Sequence, residues 1–204
     1  MKHAIGLIFG VVLAGAAFAE PVVHEVGAFR AIEVQEDVRL NVTMGQAQAV
    51  TAVALDGDVS KLRVREFLPW LVFDRNTRWF IFPKWRDDVL EVSVETSVLN
   101  GLKAFDGARA TFAGNAGERL WVEAGAGGMV TVTDIEVEEL TMVARDGGTI
   151  NAAGSCDTIT IRNEGELVDA SGMTCQSFVV RGDPDGVVLP TGAVVVDEHP
   201  ASGS

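Results

Sequence analysis

The sequence predicts an all-β fold built as a β-solenoid, and two patterns support this prediction. Apolar and polar residues alternate over short segments such as 38–44 and 90–94. Alternation with a period of two is typical of a strand that buries one face and exposes the other. Glycine-bearing turns also return too often along the 204 residues for long helices to form between them. The chain is therefore predicted to be a succession of short strands.

The second half of the chain consists of a repeated unit. Each unit opens on a pair of apolar residues, namely Leu120/Val122, Leu140/Met142, Ile159/Ile161 and Phe178/Val180. Successive starts are separated by twenty, nineteen and nineteen positions, and each is followed by a glycine-bearing turn and a second short strand. A repeat of this length indicates a β-solenoid with about 19–20 residues per rung, in which each rung buries its apolar face only by stacking on its neighbours.

The first nineteen residues predict export. A basic start precedes an apolar run from 4 to 17, and Ala17-Phe18-Ala19 fits the small-residue cleavage pattern. An uncleaved anchor is the alternative. No second apolar run is long enough to span a bilayer, so we expect the mature protein in the periplasm or at the cell surface of a bacterium. The expected division is a signal peptide over 1–19, a solenoid domain over 20–197 and a polar tail over 198–204.

Two cysteines occupy equivalent positions in neighbouring repeats. Cys156 and Cys175 each lie sixteen positions after the start of a unit, at Leu140 and Ile159. Adjacent strands lie about 4.8 Å apart, and a disulfide accepts a Cα separation of roughly 4.4–6.8 Å. Because an exported chain meets oxidising conditions, we expect a disulfide, with a ladder of two buried thiols as the alternative. The bridge would contribute about 3 kcal/mol to stability.

The charge and the histidines exclude several classes of function. The chain carries 29 acidic and 16 basic side chains, a formal net charge of −13 that the expected cleavage makes −14. A general nucleic-acid binder is excluded, because neutralising phosphates requires clustered Lys and Arg. His3, His24 and His199 lie too far apart to suggest a zinc cluster, and the chain has no Gly-x-Ser-x-Gly nucleophile motif. No catalytic residue, metal ligand or cofactor is predicted.

The most unusual segment spans residues 61–86, where cationic and aromatic side chains interleave. It holds seven of the fifteen basic residues of the mature chain, a local charge of +5, and seven of its twelve aromatic residues. Trp and Arg are enriched at binding hot spots, and cations beside aromatic rings suit anionic glycans or lipid headgroups. A solenoid must also cap its open end, and an aromatic hairpin around Asp74-Arg75-Asn76-Thr77 would do so. The cap is the preferred interpretation, and one segment can serve both purposes. The candidate binding residues are Trp70, Arg75, Arg78, Trp79, Lys84, Trp85 and Arg86.

Acidic residues form a second candidate group. Those between positions 134 and 139 share an outward face, and a turn at 183–186 could offer oxygens to calcium. The chain contains no EF-hand loop, so a solvated face is the preferred interpretation. Paired carboxylates also leave glycoside cleavage open, since that reaction needs two acids on opposite sides of a bond. The residues concerned are Asp134, Glu136, Glu138, Glu139, Asp183 and Asp185.

Four motifs carry a resemblance to a known family. They are Val26-Gly27-Ala28-Phe29-Arg30-Ala31-Ile32-Glu33-Val34, Val92-Ser93-Val94, Ala124-Gly125-Ala126-Gly127 and Val168-Asp169-Ala170-Ser171. Through their order and spacing the chain resembles, over residues 26–192, the head GIN domain family of autotransporter adhesins. The resemblance implies a right-handed single-chain β-helix, export to the bacterial envelope, a role in adhesion and no established enzymatic activity. One corner keeps the Gly-Ala-Gly pattern of the family, whereas the others are charged.

Three hypotheses about function follow from these observations. The leading one is an exported non-enzymatic β-solenoid that recognises an envelope protein, a glycan or another surface ligand. A carbohydrate-active enzyme that uses outward carboxylates is the second hypothesis. A structural envelope component that self-associates through an uncovered end of the solenoid, as a homo-oligomer, is the third.

Overall fold

The chain folds as an all-β protein, as predicted. The computed structural model describes residues 20–75 and 89–195, and within these ranges fourteen strands join into one sheet that curls strongly on itself. No helix in this part of the chain is long and apolar enough to cross a membrane, and a short 3₁₀ helix spans Val59–Lys61. The strands are β1 (Val22–His24), β2 (Ala31–Val34), β3 (Arg39–Met44), β4 (Ala49–Asp56), β5 (Leu62–Phe67), β6 (Trp70–Arg75), β7 (Val89–Thr96), β8 (Gly101–Ala104), β9 (Arg109–Ala113), β10 (Gly117–Ala124), β11 (Met129–Ala144), β12 (Thr149–Asn163), β13 (Leu167–Gly182) and β14 (Val187–Val188).

Strand formation follows the alternation in the sequence. In β3, Leu40 and Val42 are buried while Arg39 and Thr43 are exposed, and β7 repeats the pattern through Leu90 and its alternate neighbours. Successive side chains of a strand point to opposite faces of the sheet, so the apolar set enters the interior together. This apolar interior runs the length of the stack as one continuous cluster, and its burial supplies the main driving force for folding.

The strands that open the repeated units of the second half pair with one another in register. Leu120 in β10 pairs with Leu140 in β11, Leu140 pairs with Ile159 in β12, and Ile159 pairs with Phe178 in β13, all in parallel. The long strands β11, β12 and β13 also pair through their amino-terminal parts, where Val130, for example, lies opposite Ile150. A register shift between Val132 and Ile135 separates the two parts of the β11–β12 pair.

Two branches of the sheet line the apolar interior. Branch A contains β1, β4, β7, β3 and β9 and continues into the amino-terminal parts of β11–β13 and β14. Branch B contains β5, β6, β2, β8 and β10 and continues into the carboxyl-terminal parts of β11–β13. Turns at equivalent corners connect branch B to branch A.

The amino-terminal half does not stack in sequence order. β2 lies between β6 and β8, and β3 lies between β7 and β9. The first pair of strands in the sequence, β2 and β3, is therefore an inner layer of the sheet. The later strands β6 and β7 lie nearer to the end of the molecule than β2 and β3 do. β4 pairs antiparallel with β7, and β5 pairs antiparallel with β6. These antiparallel strands cover the parallel edges of β7 and β6 at this end of the molecule.

The corners between the branches depend on left-handed backbone and on close contact between rungs. Asp106 and Gly107 both have positive φ, of 54° and 77°, which is the conformation of a type I′ turn. Gly107 donates its N–H to the Ala126 carbonyl oxygen of the next corner at 3.2 Å. At Gly148 a Cβ would lie 2.3 Å from the Ala124 carbonyl oxygen, so the contact between rungs requires glycine there.

The structure contains the disulfide that the sequence analysis preferred. Cys156 in β12 and Cys175 in β13 are paired residues with Cα atoms 4.6 Å apart, and their sulfurs are bonded. The bridge joins two adjacent rungs on the side of the stack between branches A and B. Within the described residues no free cysteine is left.

Candidate binding surface

The outer surface of branch B carries a strip of aromatic and charged side chains. We call it the tryptophan face and define it by Trp70, Lys103, Trp121, Glu123 and Arg145. These residues come from β6, β8, β10 and the corner after β11. Their strand neighbours, among them Leu71, Leu102 and Val122, are buried in the apolar interior, and the alternation of a strand therefore turns the tryptophan face outward.

The two tryptophans form one aromatic strip across four strands. Trp70 and Gly101 both pair with Ala31, and Gly101 also pairs with Trp121 on its other side. A Cβ on Gly101 would lie 3.0 Å from Cη2 of Trp70 and 3.1 Å from Cβ of Ala31. The indole of Trp70 therefore extends across Ala31 and over Gly101, toward Trp121. Trp121 itself is 40% exposed.

A buried carboxylate fixes two cations beside this strip. The side chain of Glu123 is 8% exposed, with Oε2 3.2 Å from Nζ of Lys103 and Oε1 2.9 Å from Nη2 of Arg145. Nε of Arg145 also donates to Oε1 at 3.0 Å. Burial works against the charged form of Glu123, but the hydrogen bonds from Arg145 and Lys103 outweigh it and hold the pKa of Glu123 below its ordinary value. The same hydrogen bond to Glu123 raises the pKa of Arg145.

Both cations also lie against aromatic rings. Nζ of Lys103 is 4.4 Å from the ring centroid of Trp70, and the guanidinium carbon of Arg145 is 5.3 Å from that of Phe105. A cation over a ring face is attracted by the ring quadrupole. Each cation is thus held by a carboxylate and a ring together, and the tryptophan face has a defined geometry.

The structure places two of the seven candidate residues of the segment 61–86. Trp70 belongs to the tryptophan face and is half-buried. Arg75 is 7% exposed at the end of β6, where its backbone N–H donates to Oε2 of Glu36 at 3.0 Å. The other five candidates, Arg78, Trp79, Lys84, Trp85 and Arg86, lie outside the described residues. The described part of the segment forms the β5–β6 hairpin, which turns at Leu68-Pro69 and lies at the edge of branch B. The cap was expected to turn around residues 74–77, but Asp74 and Arg75 belong to β6, and residues 76 and 77 lie outside the described residues.

Four residues of the tryptophan face were missed by the sequence analysis. Lys103 and Glu123 follow the apolar residues Leu102 and Val122 by one position, and they occupy equivalent places in successive units. The repeat that aligns the interior residues therefore aligns these outward residues too. It could have predicted from the sequence that Lys103 and Glu123 are neighbours. Trp121 lies outside the segment 61–86 that drew attention through its composition.

The acidic candidates lie on a different side of the stack, between the two branches. A shallow depression of about 430 Å³ there is lined by carboxylates of three neighbouring rungs, Glu118, Glu136, Glu138 and Asp157, together with Cys156. Glu139 pairs with Arg119 at 3.0 Å. Asp134 lies within β11, between Val132 and Ile135 where the register shifts, and has a φ of 53°. These carboxylates project from one sheet surface, whereas glycoside cleavage requires acids on two sides of a bond.

The turn considered for calcium is closed by a side-chain amide. The buried Asn163 donates from Nδ2 to the carbonyl oxygens of Asp183, Asp185 and Glu166 at 3.0, 2.9 and 3.0 Å. The backbone oxygens of the turn thus already accept hydrogen bonds from the protein. Across residues 20–75 and 89–195, no group of three or more His, Cys, Asp and Glu side chains could hold a metal ion.

A family model matches most of the chain. The model described as "Putative auto-transporter adhesin, head GIN domain" matches residues 28–182, close to the range over which the sequence motifs showed the resemblance. No curated protein matches the sequence.

Solved structures of bacterial proteins share the fold at low sequence identity. A protein described as a putative adhesin from Bacteroides fragilis has a TM-score of 0.70 and 12% identity, over 81% of this chain and 76% of its own. Two proteins with the same description, from Parabacteroides distasonis and Parabacteroides merdae, have TM-scores of 0.54 and 0.53 and identities of 12% and 13%. The first match covers 82% of this chain and 80% of its own, and the second 83% and 80%. At such identities the similarity establishes the fold alone.

Proposed function

Because the chain belongs to the head GIN domain family, we propose that it is an exported, non-enzymatic, adhesin-like domain whose tryptophan face binds a glycan. The observation that supports this proposal is the aromatic strip of Trp70 and Trp121, with Lys103 and Arg145 fixed beside it. The family membership supports the adhesin-like role, and the tryptophan face supplies a surface for it.

The chemistry of the tryptophan face matches that of a sugar ring. A pyranose has a flat face of C–H groups and an edge of hydroxyls. An indole offers a large apolar face, and tryptophan is enriched where one side of a contact is apolar and the other is wet. Arg145 and Lys103 can donate hydrogen bonds to hydroxyl or carboxylate oxygens, and bonds from a charged donor are about twice as strong as neutral ones. Thr141, which pairs with Trp121, and Thr160 beyond it continue the strip with hydroxyl groups.

The rigidity of the face favours binding. Association costs free energy for every long side chain that must be ordered, and preorganisation reduces this cost. Lys103 and Arg145 are already held by Glu123 and by the rings of Trp70 and Phe105. Lys103 and Arg145 pair with Glu123, and Arg145 also pairs with Asp146 at 3.2 Å. Each cation has further N–H groups that can donate to a carboxylate, so a glycan that carries carboxylate groups is the preferred ligand.

A glycan panel with Trp121→Ala tests the proposal. The panel contains neutral and uronate-bearing polysaccharides of bacterial envelopes, and binding is measured by affinity electrophoresis and calorimetry. We expect at least one uronate-bearing polysaccharide to bind, and Trp121→Ala to weaken that binding by at least tenfold, the loss of a hot-spot aromatic. Leu167→Ala, which truncates a half-exposed apolar side chain of branch A, is the control and should leave binding unchanged.

Two results would contradict the glycan proposal. One is the absence of binding to every polysaccharide by the unmodified protein. The other is binding that Trp121→Ala leaves intact, which would assign the interaction to another surface. Reducing-end assays on the same panel test the non-enzymatic assignment, since any cleavage would favour the carbohydrate-active enzyme.

Export and the domain limits are part of the proposal. The apolar run and the Ala17-Phe18-Ala19 site support removal of residues 1–19, which leaves a domain over 20–197 and a tail over 198–204 in the periplasm or on the cell surface. Intact mass of the protein recovered from a fractionated bacterial host tests this, with a chain beginning at Glu20 as the expected result. A chain that retains Met1 and sediments with membranes would indicate the uncleaved anchor.

We also propose that successive rungs coil in the right-handed sense, as a single-chain β-solenoid. Parallel strands joined by a crossover connection are right-handed in nearly all known sheets. The parallel pairing of Leu120, Leu140 and Ile159 on successive rungs supports this sense. A crystal structure would test it directly, and left-handed coils would contradict it.

A further inference from the structure

The turn of the β5–β6 hairpin exposes two adjacent apolar side chains. Leu68 is 79% exposed, the highest value among the exposed large apolar residues of the described chain, and Phe67 is 56% exposed. We call Phe67, Leu68 and Pro69 the hairpin tip. Large apolar side chains exposed next to one another mark interaction sites far more often than single ones do.

The exposure is part of the folded structure. The carbonyl oxygen of Pro69 accepts hydrogen bonds from the backbone N–H groups of Arg30 and Ala31 at 3.0 and 3.1 Å. Oε2 of Glu66 accepts the N–H of Gly27 at 3.1 Å. The chain on both sides of Phe67 and Leu68 is therefore fixed to neighbouring segments, and the tip projects its apolar side chains from a rigid base.

The hairpin tip continues into an apolar cleft. Leu68 and Pro69 form one wall of a cleft of about 530 Å³, and its other lining residues include Phe29, Val98 and Arg30. Val98 is partly exposed and Arg30 is exposed. The surface therefore combines a convex apolar tip, a shallow apolar cleft and a cation at the rim.

The local charge favours an anionic partner. Arg63 and Arg65 of the hairpin Leu62–Arg75 pair with Asp74, and Arg75 is buried at the end away from the tip. The cationic groups beside the tip are therefore Arg65 and Arg30. Arg65 lies over the ring of Phe67, 5.5 Å from its centroid, and Arg30 lies beside Pro69. Anionic lipid surfaces attract basic groups that lie beside an apolar insertion.

From these observations we infer that the hairpin tip docks on an anionic lipid surface. Leu68 and Phe67 enter the boundary between headgroups and acyl chains, and Arg30 contacts lipid phosphates. A convex tip with a cationic rim suits a deformable lipid surface, because a folded protein partner would need a matching cavity. This site goes beyond the proposed function. Trp70, which pairs with Phe67, adjoins the hairpin tip, but Trp121 lies three strands away from β6 in branch B, so docking leaves that part of the tryptophan face open.

Vesicle co-sedimentation tests the inference. The exported protein, with its amino terminus determined by intact mass, is mixed with vesicles of phosphatidylcholine alone or of equal parts phosphatidylcholine and phosphatidylglycerol. We expect binding to the mixed vesicles and a weaker partition onto phosphatidylcholine alone. Leu68→Gln and Phe67→Gln should each reduce the partition coefficient on the order of tenfold, since each removes one large apolar side chain from lipid. Arg30→Gln should reduce binding to the mixed vesicles more than to phosphatidylcholine.

Controls separate the tip from other apolar residues and from the tryptophan face. Leu167→Gln changes an apolar side chain that is 50% exposed in β13, and it should leave the partition unchanged. Trp121→Ala should also leave it unchanged, so that a failed glycan assay and a failed lipid assay remain independent results. Circular dichroism of each variant verifies that it is folded.

Three results would overturn the inference. They are no binding of the unmodified protein to the mixed vesicles, equal partition of Leu68→Gln and the unmodified protein, and an equal loss for Leu167→Gln. Sedimentation velocity without lipid distinguishes lipid docking from self-association through the same tip. A dimer that Leu68→Gln converts to a monomer would show that a second copy of the chain, rather than a lipid surface, covers the hairpin tip.

Discussion

Glu123 shows how a single residue organises the tryptophan face. It lies on the outer surface of branch B, where a charged side chain is expected to be solvated, yet its side chain is almost wholly covered. The long side chains of Lys103 and Arg145 approach it from β8 and from the corner after β11. A carboxylate removed from water in this way is stable only while its hydrogen bonds are made. Removing the charge therefore affects both stability and the position of two binding groups.

Glu123→Gln should lower the free energy of unfolding by about 1–3 kcal/mol at neutral pH, because two cations lose their charged acceptor. The folded-state pKa of Glu123 lies below its ordinary value near 4.5. Its contribution is therefore fully present above that value and is lost as pH falls through the folded-state pKa. Urea titrations at several pH values should show the difference between the two proteins shrink below about pH 4.5.

Glu139→Gln is the matched control for this change. Glu139 pairs with Arg119 at 3.0 Å, but both side chains are mostly exposed. An exposed ion pair contributes little because water and salt screen it, so the expected loss is about 0.5 kcal/mol or less. Equal losses for the two variants would contradict the role assigned to Glu123.

At the scale of the element, the disulfide was the feature best predicted by the sequence. Equal offsets of Cys156 and Cys175 from the starts of their repeats placed them on adjacent rungs, and the pairing of β12 with β13 confirms that placement. The offsets could not decide between a bond and two stacked thiols. Only the local geometry of the two strands, which brings the Cα atoms to 4.6 Å, made the bond possible.

Replacing both cysteines by alanine should lower the free energy of unfolding by about 3 kcal/mol. Without the bond, which joins residues 19 positions apart in the sequence, the unfolded chain is no longer closed into a loop and has more conformational entropy. Urea denaturation of the two proteins, with and without a reductant, measures the effect. The reductant should destabilise the unmodified protein and leave the double variant unchanged. A response of the double variant to reductant would point to a cause other than this disulfide.

The β5–β6 hairpin was predicted less completely. Its composition identified the segment 61–86 as unusual, and both interpretations, cap and binding surface, were left open. The structure places β5 antiparallel on β6 at the edge of branch B, which is the position of a cap. Composition could not show that Trp70 turns away from this edge and lies over Gly101. That contact joins residues distant in the sequence and is made only when β2 inserts between β6 and β8.

At the scale of the whole molecule, the interleaved order of the first rungs joins the two halves of the chain. β2 and β3 contact rungs formed later in the sequence on both sides. One apolar cluster also includes residues from β2 through to β13. We infer that the domain unfolds as one cooperative unit, because no rung boundary separates an amino-terminal block of the sequence from the rest.

Leu71→Ala in β6 and Leu140→Ala in β11 test this cooperativity. Both side chains are fully buried, so each truncation should cost about 2–5 kcal/mol. Fluorescence and far-ultraviolet dichroism should report one coincident transition, shifted in both variants. Two transitions, of which Leu71→Ala shifts only one, would show that the β6–β7 end unfolds separately.

The sequence alone determined the local structure and the register of the second half. Alternation fixed which side chains face inward, and the nearly constant spacing of the repeat starts fixed which of them meet, because parallel rungs of equal length stack in phase. The tertiary structure decided the order of the first rungs and the composition of the tryptophan face. Alternation along a strand shows whether a side chain points inward or outward, but it does not show which strand lies beside it. The neighbours of Trp70 and Glu123 therefore became known only with the fold.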